Sequence, residues 1–205
     1  MLMRAQKQGA LTLSLLNVRD FAIDKHKSVD DRPYGGGPGM VMMAQPLVAA
    51  IRSVKRAGSR VVYLSPQGAL LNTEICRRLS QVEDLVLVCG HYEGIDQRVI
   101  ESEVDEEISI GNYILTNGCL AALVLLDGVV RFIPGVLGND LSAEADSFQG
   151  GVFGPPQYTR PEEFEGMRVP EELLSGNHAK IAQWRHSASL KKTIAVRGSV
   201  IDLKK

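Results

Sequence analysis

LVLVCGHYEGIDQRVIESEVDEEISIGNYILTNGCLAALVLLDGVVRFIPGVLG, residues 85–138, is the stretch whose reading decides the fold. LVLVC (85–89) is a continuous apolar run of the kind buried on both faces of a parallel sheet. An acidic strand, DEEISIGNYIL (105–115), and a long apolar helix, Leu120 to Phe132, follow it, and Pro134 and Gly135 end that helix. Glycines stand where the strands end, at Gly90, Gly94, Gly111 and Gly118. In an open α/β sheet ligands sit at the carboxyl ends of the strands. Glycine there lets the backbone approach a ligand closely or take positive φ. The stretch therefore predicts a cofactor pocket built largely of main chain.

Working outward, the same alternation extends in both directions. Gln45 to Ala57 carries apolar residues at helical spacing, RVVYL (60–64) is a short strand with SPQG as its turn, and Leu71 to Leu85 is again helix-periodic. A further helix is expected from Ile95 to Glu103. LTLSLLNVRDF (11–21) reads as a strand leaving on a polar turn. DDRPYGGGPGM (30–40) is too rich in Gly and Pro for a helix or a central strand, and reads as a loop that either connects or closes over a substrate. It lacks the Gly-Lys-Ser/Thr ending of a phosphate-binding loop. Past Gly138 the periodicity stops, and residues 139–160 read as a linker. A second unit then carries a helix from His178 to Thr193, with Ile181, Trp184 and Leu190 as its apolar stripe.

With 205 residues, 44% of them hydrophobic, the chain has material for one α/β domain and a small appendage. Its longest apolar run, near Leu120 to Leu126, is far short of the roughly 20 residues of a membrane span. Without a visible leader the expected location is the cytoplasm. Cys76, Cys89 and Cys119 form neither a zinc pattern nor an even disulfide set, and all three are expected to be buried packing. The net charge of −1 is unevenly spread: from Ser175 onward seven Lys/Arg face one Asp, giving +6 there and −7 on the remainder. That local excess suits a polyanion.

The strings RPYGGGPGM, YLSPQG, CGHYEGIDQR, DEEISIGNYILTNG, RFIPGVLG, SAEADSF, YTRPEEFEGM and VPEELLSGNH, in this order, resemble the bacterial tRNA (guanine-N1)-methyltransferases of the SPOUT superfamily, from about Val18 to about Arg197. The resemblance implies an α/β SPOUT fold with a parallel sheet and a deep trefoil knot, plus a small helical C-terminal domain. The implied division is a knotted domain over 1–138, a linker over 139–160 and a helical tRNA-binding domain over 161–205. It also implies methyl transfer from S-adenosylmethionine to N1 of guanosine 37 in tRNA, by a homodimer with active sites at the subunit interface. The alternative is a degenerate relative that binds RNA or cofactor without turnover.

By position, the resemblance gives cofactor contacts to Tyr63, Leu64, Ser65, Pro66 and Gln67, to Gly90, Glu93 and Gly94, and to Ile110, Gly111, Tyr113, Leu115, Asn117 and Gly118. It makes Asp146 the general base and Arg131 the stabiliser of charge on guanine O6. It places His178, Lys180, Arg185, Lys191 and Lys192 against tRNA phosphates. Magnesium is compatible with the resemblance, although no ligand cluster in the sequence calls for it and no metal site is assigned. Against the usual pattern, the opening strand is expected to be missing and the last domain to be truncated. Asn117 replaces a glycine, with its side chain expected to intrude on the cofactor, and Gly154-Pro155-Pro156-Gln157 replaces a segment holding a carboxylate and a histidine.

Overall fold

The computed structural model describes residues 1–137, 148 and 151–200, in two units, Met1–Gly138 and Asn139–Lys205. The first unit is built on three parallel strands, β3 (Arg60–Leu70), β4 (Leu85–Cys89) and β5 (Glu106–Ser109), in the order β4-β3-β5. Two short antiparallel strands, β1 (Asp30–Asp31) and β2 (Val41–Met42), lie outside that sheet. The helices are α1 (Leu2–Lys7), α2 (Ala44–Val54), α3 (Thr73–Leu79), α4 (Gln97–Glu103) and α5 (Cys119–Val130).

Alternation along β3 sorts these helices into two layers, because successive strand side chains face opposite sides of the sheet. Val61 and Tyr63 bury with Leu47 and Ile51 of α2 and Val99 of α4. Val62 and Leu64 bury with Cys76 and Leu79 of α3 and Ala122, Leu125 and Val129 of α5. The result is a sheet with helices on both faces, the arrangement that a continuous apolar run such as LVLVC demands. Helix α1 adds a smaller cluster in which Ala5 packs with Val130 and Val136.

The structure corrects several expectations from the sequence. Residues 11–17 form no strand; a 3-10 turn at Val18–Phe21 follows them, with the Asn17 side chain accepting from the Arg19 N–H. RVVYL does not end at SPQG, since β3 resumes at Ala69 and Leu70, both paired with β5, and Ser65–Gly68 loops out of the ladder. Gly68 is required there: a Cβ on it would fall 2.4 Å from the Glu107 carbonyl carbon and from the Ile108 nitrogen. The periodic stretch 71–85 yields only α3, capped by the Asn72 side chain on the Ile75 N–H. The glycine loop spans the β1–β2 hairpin, with positive φ at Gly35, Gly36, Gly37 and Gly39.

In the second unit the sequence reading misses a hairpin, β6 (Glu163–Phe164) with β7 (Met167–Arg168), whose turn holds Glu165 and Gly166 at positive φ. After α6 (Glu171–Leu174), α7 runs from His178 to Arg197 and ends on Gly198 in left-handed geometry. The expected apolar stripe is not what α7 buries. Its buried positions are Ser189 and Thr193, and Thr193 Oγ1 accepts from the Phe153 N–H at 2.8 Å while donating to the Ser189 carbonyl at 2.7 Å. Trp184 is half-buried, edge-on to Tyr158.

Candidate active site

At the carboxyl ends of β3, β4 and β5 three turns converge, and their meeting is fixed by main-chain contacts. The Gly118 N–H donates to the Gly90 carbonyl at 2.8 Å, and His91 and Asn117 form an antiparallel bridge. A Cβ on Gly118 would lie 2.9 Å from the Cys89 Cα and 3.0 Å from the Gly90 nitrogen. One on Gly90 would press on the Tyr63 ring at 2.9 to 3.4 Å, and one on Gly111 would meet the Tyr113 ring at 2.3 Å. Backbone blocks a Cβ at Gly118, the buried Tyr63 side chain crowds one at Gly90, and at Gly111 the positive φ of 153° disfavours any side chain.

Between the turns lies a cavity of about 470 Å³. Tyr63, Leu64, Ser65, Pro66, Gln67, Gly90, Glu93, Gly94, Ile110, Gly111, Tyr113, Leu115, Asn117 and Gly118 all line it. Residues the sequence reading did not select also line it, including His91, Tyr92, Gln97, Glu107 and Thr116. His91, Tyr92 and Gln97 sit inside the string CGHYEGIDQR, so their neighbours were the available signal. Glu107 lies mid-strand, where only the pairing with Tyr63 reveals it.

Polar and apolar groups share the lining about equally. Burial, with the Glu107 carboxylate nearby, raises the Tyr63 phenol above its ordinary value of 10.0, so it stays protonated, hydrogen-bonded to the Ile95 backbone. Glu93 is exposed and does not cap α4; Asp96 does, accepting from the Arg98 N–H at 2.9 Å. The Glu93 side chain covers Gly39, whose added Cβ would reach Glu93 Oε1 at 2.4 Å. Asn117 lines the cavity with its side chain held locally, Oδ1 accepting from the Cys119 N–H at 2.9 Å. This is the local Asx turn that short polar side chains favour.

Other site residues fall elsewhere. Arg131 is half-buried at the C-cap of α5 and is not among the described residues lining the cavity. Asp146 lies outside the described residues. His178, Lys180, Arg185, Lys191 and Lys192 are all exposed on α7. At 3.6 residues per turn, His178, Arg185 and Lys192 share one face, while Lys180 and Lys191 share a nearly opposite one. Cys119 is exposed and Cys89 half-buried, so only Cys76 is the buried packing residue expected of all three. Among the described residues no group of three or more His, Cys, Asp or Glu is placed to hold a metal ion, and no helix is long and apolar enough to cross a membrane.

Comparison with known proteins agrees with this geometry. Residues 1–203 match the family described as tRNA (Guanine-1)-methyltransferase TrmD. The tRNA (guanine-N(1)-)-methyltransferase of Protochlamydia amoebophila is 60% identical over 200 residues, covering 98% of this chain and 90% of that protein. The Photorhabdus laumondii protein of the same name is 54% identical over 202 residues, covering 97% and 81%. That of Chlamydia pneumoniae is 60% identical over 190 residues, of which this chain spans 93% but only 52% of the relative. With a match along nearly its whole length and a glycine-walled cavity at the sheet's carboxyl edge, the chain belongs to the tRNA (guanine-1)-methyltransferase TrmD family.

Proposed function

We propose that this chain transfers a methyl group from S-adenosylmethionine to N1 of guanosine 37 in tRNA, as a cytoplasmic homodimer with a knotted SPOUT core. The observation that carries the reading is the convergence of three distant strings on one cavity whose walls are backbone at Gly90, Gly111 and Gly118. A cavity of this size, with the backbone of three turns and side chains such as Gln67, Glu93 and Glu107 in its walls, suits one small ligand that carries both apolar and polar groups. S-adenosylmethionine, when bound, supplies an electrophilic methyl on a sulfonium.

The protein's own part is to hold the base and manage one proton. Guanine N1 is protonated at neutral pH and becomes a nucleophile only as that proton leaves. In this reading Asp146 accepts it, and the planar fork of Arg131 meets the charge that grows on O6. Helix α5 favours a site shared between subunits. Ala121, near its start, lines the cavity, and Arg131 follows its last turn, about 15 Å further on at 1.5 Å per residue. A single arginine side chain does not bridge that span, which in this reading favours Arg131 acting across a subunit interface. The surface of α5 supports a partner: Leu120, Leu123 and Val124 are about half exposed, beside exposed Tyr113 and Ile114. The second unit, with exposed cations on α7, would hold tRNA phosphates.

The test is methyl incorporation from labelled S-adenosylmethionine into unmodified tRNA carrying guanosine at positions 36 and 37. Incorporation should require guanosine 37 and fall by about 10²–10⁴-fold in Asp146→Ala with cofactor binding retained. Cofactor binding without any incorporation in the unaltered protein would replace this reading with a binding-only one.

A further inference from the structure

Cys89 ends β4 and Cys119 begins α5, thirty residues apart in sequence, and the cavity's own main-chain pairing brings them together. The antiparallel bridge of His91 with Asn117 and the bond from Gly118 N–H to the Gly90 carbonyl define a short ladder. Cys89 precedes Gly90 and Cys119 follows Gly118, so the two cysteines flank that bonded pair, one at the end of β4 and the other at the start of α5. Approach is close here, since a Cβ on Gly118 would lie 2.9 Å from the Cys89 Cα. The Cys119 thiol is close enough to perturb the ionisation of Cys89, and both line a second cavity beside β4, distinct from the candidate active site.

We infer that Cys89 and Cys119 form a reversible oxidation site, a dithiol that a small disulfide such as oxidised glutathione converts to an intramolecular crosslink between the end of β4 and the start of α5. Cys119 is exposed and meets the oxidant first. Its thiolate attacks one sulfur of oxidised glutathione, releasing one glutathione thiol and leaving a mixed disulfide. Cys89 then loses its proton to solvent and attacks the Cys119 sulfur, releasing the second glutathione. Two protein thiols are oxidised and one glutathione disulfide is reduced to two thiols. Burial, the largest cause, pushes the Cys89 thiol up, which keeps the second step slow at neutral pH and quickens it in alkali.

The crosslink would tie the turn at Gly90 to the turn at Gly118, two walls of the proposed cofactor site. Its formation does not depend on the proposed reaction; only its consequence for cofactor affinity rests on that reading. The full chain is treated with oxidised glutathione, then subjected to free-thiol counting and non-reducing peptide mass mapping, with and without later dithiothreitol. The expected result is loss of two thiols, a Cys89–Cys119 linked peptide reversed by dithiothreitol, and no linked peptide in Cys119→Ser or Cys89→Ser. Affinity for S-adenosylmethionine should then change by about tenfold or more in the oxidised wild type and not in treated Cys119→Ser. Glutathione retained on Cys119 alone, or an unchanged thiol count, would overturn the site. A linked peptide with unchanged affinity would leave the crosslink standing and overturn its effect on the cavity.

Discussion

Gly118 shows how one hydrogen atom's worth of space holds the candidate site together. Its φ is −77°, ordinary for any residue, so a substitution there meets no backbone strain and its effect is purely steric. Because the obstructing atoms are the Cys89 Cα and the Gly90 nitrogen, neither of which can rotate aside, Gly118→Ala should destabilise by about 1–3 kcal/mol. It should also weaken S-adenosylmethionine binding about tenfold, read by calorimetric titration against the melting temperature. Tyr63 supplies a second prediction at this scale. Its folded phenol titrates above 10.0, so the unfolded chain releases that proton first and stability falls as pH rises beyond 10.0. Tyr63→Phe should lose about 1 kcal/mol near neutrality and show a shallower alkaline decline in urea unfolding. The glycines themselves were legible from their strand-end positions. Glu107 and the partnership of Cys89 with Cys119 were not, because each depends on which residue a neighbouring strand or turn sets beside it.

Two ion-pair systems join elements, and they are expected to behave differently. Glu106 on β5 takes Arg78 of α3 at 2.6 Å and Arg60 of β3 at 3.1 Å. Arg78 first, and then Arg60, hold its carboxyl below the ordinary 4.5, so the stability it contributes is present above that value and fades as pH falls below it. Glu106→Gln should cost roughly 1 kcal/mol at pH 7 and flatten the acid limb of a stability–pH profile. Glu103 at the end of α4 is 5% exposed and meets Arg52 at 2.6 Å and Lys55 at 3.6 Å, both near the end of α2. Removing both cations leaves a buried carboxylate alone, so Arg52→Ala with Lys55→Ala should cost about 3–5 kcal/mol, well above the loss in Glu103→Gln. Chemical denaturation of the three variants orders them. At this scale the sequence located β4, α2, α4 and α5 well, because each carries a sustained apolar pattern. It overestimated α3 and read a strand at 11–21, because periodicity in an apolar run does not say whether a pairing partner exists.

For the whole molecule, the proposed dimer rests on the outer face of α5. One face packs Ala122, Leu125 and Val129 into the core, and the other presents Leu120, Leu123 and Val124. Leu123→Glu puts a charge on the outer face and leaves the core face untouched. It should convert a dimer to monomers in light scattering, and methyl transfer should drop at least about tenfold while the fold persists by circular dichroism, since burying an unpaired charge is costly. An unchanged mass would refute this use of the α5 surface.

What the sequence by itself determined is the parallel α/β plan, the glycine turns at the strand ends and the strings by which the family is known, because these are local patterns of period, punctuation and composition. Only the tertiary structure decided that Glu107 joins those turns in lining the cavity, that Ser65–Gly68 loops out of β3, that Asn117 turns its side chain toward α5, and that two cysteines thirty residues apart stand beside each other. The reason is physical. Periodicity states which face of an element is apolar, whereas a site is made where different elements close on one another, and that closure is set by register and packing across the sheet.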